Sequence, residues 1–218
     1  MAAMPELLST FATALVAFLV IIDPLGLVPI FIALTRNADP EQRQRMALKA
    51  VVVAACVLVA FALVGENLLR SIGIGIPAFR IAGGILLLLV ALEMVFERRT
   101  QRRENTADHL ADERMEGQPV ADISVFPMAV PLLAGPGAIT TVILHMGSRA
   151  DSWPHQAAVM AALLVTLLVV AISLFLASRL GRFLGPTLIS VFSRLLGLLL
   201  SALAVQFIID GIKRAFGI

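Results

Sequence analysis

The stretch Ile21-Ile22-Asp23-Pro24-Leu25-Gly26-Leu27-Val28-Pro29 decides how the chain is read. It sets one acid, two prolines and a glycine in the middle of an apolar run from Ser9 to Leu34. In water the pattern would be a loop between two short hydrophobic segments. In a bilayer it is a transmembrane helix broken halfway across. Proline lacks an N–H and clashes with the preceding turn, which costs about 3 kcal/mol in a helix interior. A charged aspartate at mid-membrane adds ~3 kcal/mol on insertion scales. Two such costs at one depth point to a working site. A broken helix at the midplane is tolerated only where it faces protein or a watery cavity.

Composition selects the bilayer reading. Of 218 residues, 59% are hydrophobic and 15% charged, and the mean hydropathy is +0.95. These values belong to a polytopic membrane protein. The net charge of +2 comes from basic residues that flank the apolar runs rather than form one patch, so no nucleic-acid partner is expected. The single cysteine, Cys56, lies inside an apolar run and offers neither a disulfide nor a metal site. The first apolar stretch follows Glu6 with no Lys or Arg before it, and it is too long for a cleavable signal.

Six apolar segments can be drawn: Ser9–Leu34, Met46–Gly65, Pro77–Phe96, Ile123–Met146, Ala157–Ser178 and Thr187–Ile212. Each is long enough for a ~30 Å hydrocarbon core at about 1.5 Å per residue. Basic residues set the expected orientation. The first link holds Arg36, Arg43, Arg45 and Lys49, and the third holds Arg98, Arg99, Arg102, Arg103 and Arg114. The fifth holds Arg179 and Arg182, with Arg194 just inside segment six. The opposite side has Arg70, Arg80, Arg149, Lys213 and Arg214. The first set is expected in the cytoplasm and both termini outside it, in the plasma (inner) membrane of a bacterium. The third link, Glu97–Ala121, mixes these charges with several acids and reads as a solvated linker, His109 included.

That linker divides two similar halves. Asp23-Pro24 lies 112 positions before Gly135-Pro136, and Arg70-Ser71-Ile72-Gly73 lies 112 before Arg182-Phe183-Leu184-Gly185. Arg80-Ile81-Ala82-Gly83 lies 114 before Arg194-Leu195-Leu196-Gly197. Three spans per half would make the halves insert upside down relative to one another, the inverted-repeat plan of secondary transporters. The expectation is therefore an all-α membrane protein of six transmembrane helices. Residues 1–96 form one three-helix repeat, 97–121 a charged cytoplasmic linker and 122–218 the second repeat, with helices one and four broken.

Segment four is the partner of segment one, and reads Pro127-Met128-Ala129-Val130-Pro131-Leu132-Leu133-Ala134-Gly135-Pro136-Gly137-Ala138-Ile139-Thr140-Thr141. A helix restarting near Ala138 points its first N–H groups into the gap, a ready anion site. Gly137 has no side chain to block a ligand there, and Thr140 and Thr141 add hydroxyls one turn on. Asp23 supplies the opposite polarity. It can accept from an ammonium group, bind a cation or carry a proton, and it can equally cap the half-helix that starts at Pro24. Together the two breaks suit a small zwitterion.

Asp23 to Phe31 (Asp-Pro-Leu-Gly-Leu-Val-Pro-Ile-Phe) and Pro131 to Thr140 (Pro-Leu-Leu-Ala-Gly-Pro-Gly-Ala-Ile-Thr) resemble the two signature stretches of the MarC family. The six-span length, the charged linker and the glycine-rich third and sixth segments extend the resemblance over nearly the whole chain. Family members often carry Asn where this chain has Asp23. The resemblance implies transport of small neutral amino acids, as in a similar archaeal glycine and alanine transporter. The site residues it carries over are Asp23, Pro24, Gly26, Pro29, Gly135, Pro136 and Gly137. The expected partners are a small-molecule substrate and the lipid bilayer, with a proton or sodium ion for coupling and no metal or other cofactor.

The remaining polar residues read more blandly. Glu93 is expected near the cytoplasmic end of segment three and Asp210 near the outer end of segment six, each at an interface, with a place in a proton path as the alternative. Arg80 and Arg194 are expected to snorkel toward headgroups. His145 and His155 are placed near the outer surface, without a partner at metal spacing. Gly83, Gly84 and Gly197 permit close helix packing. Three other functions compete. A drug or amphipath exporter wants a roomier cavity, and a non-transporting scaffold or regulator needs none. An intramembrane enzyme wants a Ser–His pair or a second deep Asp, and the sequence presents neither.

Overall fold

The structure, a computed structural model, describes residues 4–97, 122–149, 151–177, 179 and 186–217. Most of the charged linker, with His109, and the repeat partner Arg182–Gly185 lie outside these. Eight helices longer than one turn are described: α1 (Met4–Ile22), α2 (Pro24–Leu34), α3 (Pro40–Ser71), α4 (Ile76–Val95), α5 (Ser124–Leu133), α6 (Pro136–Met146), α7 (Trp153–Phe175) and α8 (Pro186–Phe216). Among the described residues there is no strand.

Helix ends follow local chemistry. Pro40 opens α3, where Asp39 accepts from the Gln42 N–H at 2.8 Å and the Gln42 side chain accepts from the Asp39 N–H. This is a reciprocal cap of two otherwise orphan donors. At the other end Gly73 takes φ 78 and the Ile74 N–H reaches back to the Leu69 carbonyl, the left-handed stop that glycine permits.

Among the described residues five helical stretches are long and apolar enough to cross a membrane, with α1 and α2 together forming one of them. The bent pair α5–α6 makes a sixth where it is counted as one span. Ion pairs mark two opposite faces of the bundle. On one, Lys49 meets Asp122 and Arg194 meets Glu97. On the other, Arg149 meets Glu6 and Arg80 faces Asp210. Followed through these marks, successive segments run in alternating directions. α3 begins six residues before Met46, so its charged first turns project beyond the apolar zone.

Small residues set the packing. An added Cβ on Gly84 would lie 2.8 Å from the Ala204 carbonyl oxygen, and one on Gly197 3.1 Å from that of Ala91. One on Gly211 would lie 3.0 Å from the Pro77 carbonyl oxygen. These three glycines let the backbones of antiparallel α4 and α8 approach along their whole length, as membrane helices do where small residues meet. Phe18, Phe31, Leu58, Leu87, Met128 and Leu133 fill the centre. Leu63, Leu89, Leu164, Leu168 and Leu198 are more than half exposed, the outward apolar surface a lipid solvent requires.

Candidate functional site

The break in the fourth segment is the sharper of the two. Ala134 and Gly135 join α5 to α6 across a 54° bend. α5 is itself irregular. Wide-turn bonds run from the Met128 N–H to the Ile123 carbonyl and from the Ala134 N–H to that of Ala129. Phe126 and Val130, each preceding a cis proline, are extended. A Cβ on Gly135 would sit 2.5 Å from the Pro131 carbonyl oxygen, so the turn admits only glycine there.

α6 then starts at Pro136 with no side chain capping it. Its first helical bond is from the Ile139 N–H to the Gly135 carbonyl, at 3.0 Å. The N–H groups of Gly137 and Ala138 precede that ladder. Both residues line a cavity of about 230 Å³. Its other walls include Ile21 from α1, Pro131 from α5, and Val90 and Glu93 from α4. One cavity thus holds an uncapped helix N-terminus, with its partial positive charge, and a carboxylate.

The face of α4 explains why Glu93 arrives there. A Cβ on Gly83 would come within 2.4 Å of Thr140 Cγ2, so α4 lies directly against α6 at that level. One turn on, Leu87 Cδ2 stands beside Gly137. Val90 and Glu93 continue the same helical face inward. The sequence reading placed Glu93 at an interface, with a proton path as the alternative, and did not count it among the substrate-binding residues. The signal was the spacing 83, 87, 90, 93, but it is legible only once Gly83 is known to face α6.

The first break is confined to one residue. Asp23 is left-handed, φ 57 and ψ 68, and its side chain accepts from the Gly26 N–H at 3.1 Å. This is an N-cap on α2, with Pro24 at the first helical position. The backbone ladder bridges the interruption. The Asp23 N–H donates to the Leu19 carbonyl at 3.0 Å and the Leu27 N–H to the Asp23 carbonyl at 3.2 Å. α1 and α2 therefore continue as one span, and Pro29 lies inside α2 without interrupting it. Asp23 is 3% exposed. A Cβ on Gly26 would lie 2.1 Å from its Oδ2, so Gly26 is the space the carboxylate folds into.

Of the residues proposed from sequence, Gly135, Pro136 and Gly137 line the cavity, while Asp23, Pro24, Gly26 and Pro29 are not among its walls. The neighbouring Ile21 is the contact from the first break. Thr140 packs its methyl on Gly83, and Thr141 donates to the Gly137 carbonyl at 2.8 Å. Both hydroxyl-bearing residues stand one turn behind the cavity rather than in it.

One expectation fails beyond the cavity. Arg80 does not snorkel: it is 4% exposed and faces Asp210 at 3.6 Å. His145 is buried edge-on between the Phe18 and Phe207 rings. His155 is buried as well, its Nε2 at 2.8 Å from Ser148 Oγ and 3.0 Å from the His145 carbonyl. The first turn of α4 carries Arg80 into the α4–α8 seam, a placement that charge alone did not reveal. At the opposite face, the Lys49 ammonium and Ser124 hold the Asp122 carboxyl down to about 2, anchoring the start of α5.

Comparison with known proteins adds the family. The model described as MarC family integral membrane protein matches residues 8–216. A membrane protein of Methanocaldococcus jannaschii is 39% identical over 214 residues, 95% of this chain and 98% of its own. The membrane protein YvbG of Bacillus subtilis is 35% identical over 199 residues, 89% of this chain and 90% of its own. The membrane protein YhcE of Escherichia coli is 34% identical over 196 residues, 90% and 88%. No solved structure matches the chain. With its multi-pass helical architecture and a match running almost from end to end, this chain belongs to the MarC family of integral membrane proteins.

Proposed function

We propose that the protein is a secondary transporter, not an enzyme, and that it moves small neutral amino acids by alternating access across a bacterial plasma membrane. One observation carries the reading: the uncapped amide end of α6 and the Glu93 carboxylate share one cavity. An α-amino acid presents a carboxylate and an ammonium group a few ångströms apart. The Gly137 and Ala138 amides suit the first, and Glu93 suits the second or a coupling proton or sodium ion. At about 230 Å³ the cavity is smaller than the ~300–1,000 Å³ of drug-sized sites, which favours a small metabolite over an amphipathic drug.

Asp23 then acts through the backbone. Its cap fixes the turn beside Ile21, which forms the cavity wall opposite α6. The inverted-repeat reading is supported by α2 and α6, each 11 residues long, each opening on proline, with Pro24 and Pro136 112 positions apart. In this reading both termini lie outside the cytoplasm. Reconstituted vesicles with labelled glycine and alanine, with and without a proton or sodium gradient, test the proposal. Saturable flux is expected, and Glu93→Gln should reduce it far more than Asp23→Asn. Absence of flux for every small neutral amino acid, under every gradient, would refute it.

A further inference from the structure

Arg80 is a buried charge in a costly position. Its side chain is 5% exposed near the start of a membrane-spanning helix, where a guanidinium is expensive unless well partnered. Its partners are loose. Nη1 is 3.6 Å from Asp210 Oδ2, and Nη2 is 3.5 Å from the Leu144 carbonyl oxygen. The Phe207 ring centroid is 5.9 Å from the guanidinium carbon. Among the described residues Nε has no hydrogen-bond partner. Beside it the His145 ring stands edge-on to Phe18 at 5.7 Å and to Phe207 at 5.6 Å, and its Nε2 is also buried without a partner. Each bare polar group raises the free energy of this closed packing. Opening the layer to water or to a polar solute would satisfy both groups. A closure that must also open benefits from that balance.

The layer is in the right place to be such a closure. Arg80 lies one turn before Gly83, which packs on Thr140, and Leu144 carries the α6 side of the same seam. Glu93 is thirteen residues further along α4, about 20 Å at the helical rise. Anything passing from the cavity along the α4–α6 seam toward the Arg149 face meets this layer.

The opposite end of the α4–α8 seam carries a second pair of the same kind. Arg194 Nη2 lies 2.7 Å from Glu97 Oε2, with the arginine side chain about half exposed. Arg80 precedes Arg194 by 114 positions, and Glu97 precedes Asp210 by 113. The two arginine–acid pairs are thus counterparts under that spacing, with the arginine buried in one and about half exposed in the other, and the two acids about equally exposed.

We propose that Arg80, Asp210 and the Phe18–His145–Phe207 layer form the outer gate of the transport path, with Arg194–Glu97 as the repeat-related latch at the inner end. The inference rests on the transporter reading for the path, but the gate can be tested without transport. The full-length protein, with Cys56→Ser and Ala138→Cys in the cavity wall, is placed in vesicles and exposed to a membrane-impermeant maleimide on one side at a time. Slow labelling from the outer side is expected. Asp210→Asn should speed it about ten-fold, equivalent to about 1.4 kcal/mol of gate stability, and Glu97→Gln should not. Arg80→Asp combined with Asp210→Arg should restore slow labelling. Phe207→Ala reads the same layer if Asp210→Asn fails to assemble. Outer labelling that is already fast in the starting protein, that neither variant changes, or that Glu97→Gln accelerates equally would overturn the gate. Glycine flux with no gate response sinks the gate alone. A gate response with no amino-acid flux sinks the transporter reading alone.

Discussion

In the proposed site Glu93 and Asp23 exchange the roles that their positions in the sequence suggest. Asp23 interrupts an apolar run and draws attention, yet it spends its carboxylate on the Gly26 N–H. Loss of such a cap costs about 1 kcal/mol. Asp23→Ala should therefore lower the melting temperature in detergent, while Asp23→Asn, which keeps an acceptor, should leave it nearly unchanged. Gly26→Ala should be worse than either, because its Cβ would lie 2.1 Å from Asp23 Oδ2. Displacing a buried cap of this kind costs about 1–3 kcal/mol. Gly137→Ala separates binding from folding. Its Cβ would meet Ile21 and Leu87 at 3.5 and 3.6 Å, ordinary contact distances. The protein should fold normally but take up amino acid with a raised KM, since the methyl partly covers the amides. An unchanged KM would remove the α6 N-terminus from the binding site.

At the scale of elements, the α4–α8 seam depends on backbone approach. Gly84→Val would drive side-chain atoms into the Ala204 carbonyl, 2.8 Å from even a Cβ. That is backbone, so the helices must separate, and thermal unfolding should fall by an amount typical of overpacking, about 1–3 kcal/mol. α5 is held differently, by the Lys49–Asp122 pair at its start. The Asp122 carboxyl is depressed to about 2 from 3.8. Its contribution is therefore complete above pH 4 and is lost as pH falls through about 2. Both side chains are about half exposed, so the contribution stays within the ~0.2–1 kcal/mol of surface pairs. Asp122→Asn should lower stability slightly at neutral pH and flatten the acid limb between pH 4 and 2. An acid limb unchanged in the variant would assign that pH dependence to other carboxyls.

For the whole molecule, six crossings require the two ends of the chain to share a face, with the Arg45 turn on the other. In a Cys56→Ser background, Met4→Cys and Gly217→Cys should label from one side of the membrane and Arg45→Cys from the opposite side. Under the proposed topology the basic links put the Arg45 side in the cytoplasm. Labelling of Met4→Cys and Gly217→Cys from different sides would leave an odd number of spans and end the two-repeat reading. The outward leucines need no partner, because lipid is their solvent.

The amino-acid sequence determined what local chemistry and composition can determine. Mean hydropathy fixed the bilayer as solvent, and Pro24, Gly135 and Pro136 fixed where helices restart, because a missing N–H and a missing Cβ act within one turn. The spacing of 112 residues suggested two related halves in the same way. Only the tertiary structure decided which polar groups meet. Helix α4 can present Glu93 and Arg80 to lipid, to α8 or to α6. Its rotation is set by how closely Gly83 lets it approach Thr140 and Gly84 lets it approach Ala204. That rotation brings Glu93 into the cavity and buries Arg80. It depends on residues more than fifty positions away, which no pattern along the chain can register.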